Sequence, residues 1–147
     1  MVAPNGATRT KANHPSTADG LHAHVRGAEG RHVLDAGPYA ERLAELARSV
    51  PAMQVQITTA AVGRHSPAGQ RRLVERLLPD LVSIALREII AEPDHSFTRQ
   101  FSAVCTQADI AVQDVLYVPA DVDLFGQFVN SGFIPNSSLQ VMRVLGR

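Results

Sequence analysis

The chain has 147 residues, and its 14 lysines and arginines balance its 14 aspartates and glutamates. That length fits one domain with one core, without need of disulfides or metals, and zero net charge supplies no field to draw the chain onto nucleic acid or an anionic membrane. The single cysteine, Cys105, cannot form an internal disulfide and reads as a small buried hydrophobe in a reducing, cytoplasmic compartment.

Residues 1–37 contain no aromatic side chain and few large apolar ones, yet hold five of the ten glycines and four of the six histidines. A segment of this kind buries too little apolar area to offset the entropy of ordering it, so it is expected to be a flexible N-terminal tail. Residues 1–20 also lack the continuous apolar segment of a secretory signal.

Residues 38–147 read as a single α/β domain. Tyr39, Leu43, Leu46, Ala47 and Val50 recur at helical spacing and predict a short amphipathic helix over 38–49, with Pro38 in its first turn and Pro51 beyond its end. Met53, Val55 and Ile57 alternate with polar or small residues, the period of a strand with one buried face. Ser66-Pro67 reads as an N-cap followed by proline at the first helical position. A long helix over 67–91 follows, with Leu73, Val74, Leu77, Leu81 and Ile84 on its apolar face and a kink or break at Pro79. Its most apolar part, residues 77–90, is interrupted by Pro79, Asp80, Arg87 and Glu88 and falls short of the roughly 20 apolar residues of a membrane span. Further strands are expected over 97–106, 110–118 and 138–145, with a short apolar unit at 124–129 around Gly126. The predicted architecture is a β-α-β unit with a small mixed sheet, one long kinked helix across it and a short N-terminal helix.

Four histidines of the first segment, His14, His22, His24 and His32, invite a metal reading, because imidazole is a common ligand for zinc, copper and nickel. Their Gly-, Ala- and Ser-rich surroundings show no rigid shell to hold such ligands, and a solvated tail is the favoured reading, with no metal and no cofactor. His65 and His95 read as isolated loop or surface histidines. No HExxH, paired CxxC, phosphate-binding loop or GxGxxG pattern is present.

The run Pro51-Ala52-Met53-Gln54-Val55-Gln56-Ile57, then Gly63-Arg64 and a helix carrying Gln70, Leu73, Val74 and Leu77, resembles the opening of 4-oxalocrotonate tautomerase-like proteins. Leu124-Phe125-Gly126 is similar to the aromatic-Gly unit after that family's second strand. The resemblance spans residues 51–132. It implies a keto-enol isomerase with a proline base at Pro51, an arginine at Arg64 that binds or polarises a small acidic keto or enol ligand, and an aromatic wall at Phe125. Pro51 is internal, so its nitrogen is an amide, and it could act as a base only after cleavage at Val50-Pro51. Asp114 lies where many members carry a second substrate-binding arginine.

A second reading is a non-enzymatic assembly subunit of a ring or virion, whose N-terminal arm orders against neighbouring copies. Both readings imply a homo-oligomer, since a small sheet with exposed edges gains by pairing with other copies.

Overall fold

A computed structural model describes residues 19–60, 63–91, 95–135 and 139–145. Residues 1–18 of the expected tail, His14 among them, lie outside the described residues. The α/β class holds, and the described elements build one sheet of five strands in the order β1-β2-β3-β4-β5, every neighbouring pair parallel. The expected mixed sheet is therefore wholly parallel.

The first strand, β1 (Gly20–Ala23), pairs with β2 (Gln54–Thr58), matching His22 to Gln56. It falls inside the segment expected as a tail. Four residues with only Leu21 as a large apolar side chain are a faint strand signal, and the pairing partner that orders them is more than 30 residues away.

Helix α1 (Ala36–Ser49) begins where the Asp35 carboxylate accepts the Gly37 amide at 3.0 Å, and ends at Val50 ahead of Pro51. Helix α2 (Pro67–Leu77) is capped by Ser66, whose Oγ accepts the Gly69 amide at 3.1 Å. It stops at Leu78, which adopts a left-handed conformation with φ of 44°, and Pro79 follows. The single helix expected over 67–91 thus becomes α2, strand β3 (Leu81–Ala85) and the one-turn helix α3 (Leu86–Ile89). A short apolar run such as Leu-Val-Ser-Ile-Ala suits a buried parallel strand as well as a helix, and periodicity alone does not separate the two.

Residues 97–106, expected as a strand, lie in helix α4 (Ser96–Gln107), whose buried residues Thr98, Phe101 and Cys105 repeat at helical spacing. Strand β4 (Ala111–Leu116), helix α5 (Pro119–Asn130) and the edge strand β5 (Gln140–Arg143) complete the chain. Residues 124–129 fall within α5. No described helix is long and apolar enough to cross a membrane.

The two faces of the sheet differ sharply. Ile57, Val82, Ile84 and Leu116 join Tyr39, Leu73, Val74, Phe101, Cys105 and Phe128 of the helices in one buried cluster. Burying one such side chain contributes about 1.5–3 kcal/mol. The opposite face is polar: Thr58, Ser83, Gln113 and Gln140 stand in register across β2 to β5, and His22 and Gln56 lie beside them on β1 and β2. Strands added in sequence order by crossovers of one hand put every helix on the same side.

Candidate active site

Four histidines and a tyrosine gather around the C-terminal ends of β1 and β2. His22 Nδ1 lies 2.6 Å from Gln56 Oε1, and Gln56 Nε2 donates in turn to Gln113 Oε1 at 3.2 Å, reaching across β3. Because Gln56 Oε1 can only accept, Nδ1 of His22 carries the proton, and in the neutral ring Nε2 presents its lone pair. That Nε2 stands 3.1 Å from Nε2 of His24.

From His24 the rings continue to His32 at 5.3 Å between centroids, and from His32 to His65 at 5.9 Å. Tyr39, fully buried on α1, donates its hydroxyl to the Thr58 carbonyl at 2.9 Å, so its oxygen accepts from His32 Nε2 at 3.1 Å. The neutral His32 ring then has its lone pair on Nδ1, and this atom is buried with no hydrogen-bond partner among the described residues. Burial, reinforced by His24, His65 and Arg26, pulls His32 down to about 4, and burial with His22 and Arg26 also lowers His24. Burial pushes the Tyr39 phenol up to about 12. At neutral pH His32 and Tyr39 are uncharged.

More buried polar atoms without a partner stand at this end of the sheet. They are Ser83 Oγ on the polar face of β3, Thr59 Oγ1 just past β2, His65 Nε2, and Oε1 of Gln70, whose Nε2 donates to Glu88 Oε2 at 3.2 Å. Each costs about 1–3 kcal/mol when nothing satisfies it. Open parallel sheets bind their ligands at the strand C-termini, which makes this concentration of orphaned atoms a candidate ligand site.

His22 and His24 are the residues able to hold a cation. Two imidazole nitrogens 3.1 Å apart are spaced as two ligands of one zinc-like ion, and the Gln56 bond to Nδ1 of His22 is the outer-shell contact that orients such a ligand. Among the described residues no group of three or more His, Cys, Asp or Glu side chains is placed to hold a metal. The pair alone falls short of the three protein ligands that such a site commonly takes.

The residues expected to carry tautomerase chemistry do not converge. Pro51 lies in the exposed turn before β2, and exposed Arg64 lies beyond its other end; five strand residues at about 3.3 Å each separate them. Phe125 sits on α5 and packs, half-buried, against the apolar core on the helix side. Of the three, Arg64 alone is at the histidine end. His65, read from sequence as isolated, is brought to His32 by the α2 cap. His22 and His24 were readable: Leu21-His22-Ala23-His24-Val25 alternates apolar and polar residues, which in a strand puts both imidazoles on one side.

These features define an α/β protein of the parallel-sheet class, with a candidate polar site at the C-terminal ends of its first strands. Residues 18–147 match the sequence profile of the beta-keto acid cleavage enzyme family. The chain belongs to that family. No curated protein matches it in sequence. The family match overturns the tautomerase resemblance and with it the isomerase reading, and the assembly-subunit reading gains no support from it. The topology agrees, since β3 stands between the two strands that a β-α-β reading would join through one helix.

Proposed function

We propose that this chain acts in the cleavage of β-keto acids, with the reacting carbonyl held at the His22–His24 pair. The observation that carries this reading is the convergence of the two Nε2 atoms, 3.1 Å apart, beside buried polar atoms lacking partners at the strand C-termini, in a chain of this family. Cleavage of a β-keto acid by water begins with attack of the water oxygen on the keto carbon, which puts negative charge on the keto oxygen. When that carbonyl reforms, the bond to the α carbon breaks, and the α carbon leaves as a carboxylate-bearing carbanion that takes up a proton, giving two carboxylic acids. Charge developing on the keto oxygen needs a preorganised acid or donor. A divalent ion held by His22 and His24 would supply Lewis acidity at that oxygen.

The remaining roles fall to the chain's own side chains. The Gln113–Gln56–His22 row fixes the His22 ring. The Tyr39 hydroxyl fixes His32 so that a neutral Nδ1 acceptor faces the ligand region, and Ser83 Oγ is a donor on the polar face. Arg26, close enough to His24 and His32 for its charge to help keep both neutral, is the cation suited to the substrate carboxylate.

The test is consumption of a short 3-oxo acid by the zinc-supplemented protein, followed by separation of the products. Loss of turnover in His22→Ala and in His24→Ala, with a raised KM and little change in kcat in Arg26→Ala, is the expected pattern. Turnover indifferent to both histidines would refute the placement of the reaction at this end of the sheet.

A further inference from the structure

A second orphaned polar group lies on the other side of the sheet, away from the histidines. Asp114 of β4 stands in register with Ile84 of β3, on the face that packs against the helices. It is only 3% exposed, and its Oδ1 has no hydrogen-bond partner among the described residues. The carboxyl borders a pocket of about 200 Å³ between the sheet and α4, whose apolar wall includes Ile84, Phe101, Ile110 and Val112. Thr98, nearly buried, adds a hydroxyl, and the buried Cys105 adds a thiol that burial, together with Glu75 and Asp114, pushes up to about 12.

The electrostatics of this pocket have one sign. Asp114 lies within it and Asp109 at its exposed side, and among the described residues no Lys, Arg or His lines it. An unpaired carboxylate in such a place is costly, and burial pushes Asp114 up to about 7. A cation with an apolar body would relieve that cost; an anion, including any β-keto acid, would be repelled.

We propose that this pocket binds a small primary ammonium compound, its ammonium on the Asp114 carboxylate and its hydrocarbon against Ile84, Phe101 and Val112. Size supports a ring with a short arm: an engineered cavity of about 150 Å³ takes up benzene, and the present pocket is somewhat larger. A bare metal ion is a poorer occupant, because one carboxylate in an apolar wall offers too few ligands. The inference does not depend on the proposed cleavage activity, since the sheet separates the two sites.

Benzylamine is the probe, with toluene and benzoate as matched neutral and anionic shapes, titrated calorimetrically into the full chain at pH 8. Benzylamine is expected to bind at least tenfold more tightly than toluene, and benzoate not at all. Asp114→Asn should remove the preference for the amine while toluene still binds. In case that variant does not fold, Ser102→Phe, which fills the pocket from α4, should abolish binding of both ligands, and benzylamine should shift the amide resonances of Phe101, Cys105 and Asp114 in the wild-type chain. Equal affinity for benzylamine and toluene, no binding of benzylamine, or amine affinity unchanged by Asp114→Asn would overturn the proposal.

Discussion

His22 and Gln56 face each other across β1 and β2, and the 2.6 Å contact between Nδ1 and Oε1 fixes which imidazole nitrogen is left for a ligand. Removing an outer-shell partner of a metal-binding histidine typically costs about 10–100-fold in metal affinity or activity. Gln56→Leu is therefore expected to weaken zinc binding within that range in a calorimetric titration, with circular dichroism confirming the fold. Zinc affinity equal to wild type would show that the Gln56 contact orients nothing.

Two groups impose opposite pH trends on stability. His32 is held near 4 in the folded chain against an ordinary 6.5, so the unfolded chain binds the extra proton, and the stability His32 contributes is lost as pH falls from about 6.5 to 4. Asp114 is raised to about 7 from 3.8, so the folded chain holds the extra proton, and its contribution is lost as pH rises from about 4 through 7. Urea midpoints measured from pH 4 to 8 should fall less steeply toward acid in His32→Gln than in wild type, and less steeply toward alkali in Asp114→Asn. Variant curves parallel to wild type across the range would contradict these assignments.

Much of the framework was legible because its signals are local. Pro38 and Pro51 bracket α1, Ser66-Pro67 opens α2, and the alternation at 53–57 and the β-prone run at 110–118 mark β2 and β4. The segments that were misread are α4, expected as a strand, and the strands β3 and β1. β3 is buried on both faces, so its apolar run carries no period to distinguish it from helix, and β1 gains its order from β2. The site was legible only in part. His22 and His24 share one side of the first strand by alternation, but His32 and His65 join them only once the chain has folded.

The α2 face is a quantitative check on this reading. Arg72 is exposed, Leu77 is only partly buried, and the deepest apolar positions are Leu73 and Val74. Leu73→Ala should cost about 2–5 kcal/mol, the range for truncating a buried leucine. Leu77→Ala should cost less, and Arg72→Ala should have little effect. Chemical denaturation with Leu73→Ala no worse than Arg72→Ala would mean that α2 presents a different face to the sheet.

Asp121 ties three elements together. Its carboxylate accepts two nitrogens of Arg87 at 2.6–3.0 Å and the amides of Tyr117 and Val118 at 2.7 and 3.1 Å, closing the start of α5 against the turn after β3. Burial acts to raise this acid, but the Arg87 and amide hydrogen bonds and the Arg87 charge outweigh it, and the net shift is downward. Asp121→Ala leaves two backbone amides and a half-exposed guanidinium without their acceptor. A loss of about 1–3 kcal/mol per charge-assisted bond bounds the cost, and the melting temperature should drop most above pH 4, where the wild-type carboxylate is ionised. A variant as stable as wild type at pH 7 would show that solvent replaces the carboxylate without penalty.

The edge strand β5 sets the last prediction. All four of its residues are exposed, and Val141 and Met142 present apolar side chains on both faces of an edge that no other described strand pairs, with Leu139 and Leu145 exposed beside them. An apolar edge of this kind invites pairing with another copy, and a lysine placed on it is a common natural block. The expected outcome is concentration-dependent association of the wild-type chain in sedimentation velocity, with Val141→Lys shifted toward monomer. Because Val141 lies outside the buried core, the melting temperature of the dilute variant should stay close to that of dilute wild type. A wild-type chain that sediments as a monomer at every concentration tested, or a Val141→Lys chain that associates as strongly as wild type, would remove β5 as the contact between copies.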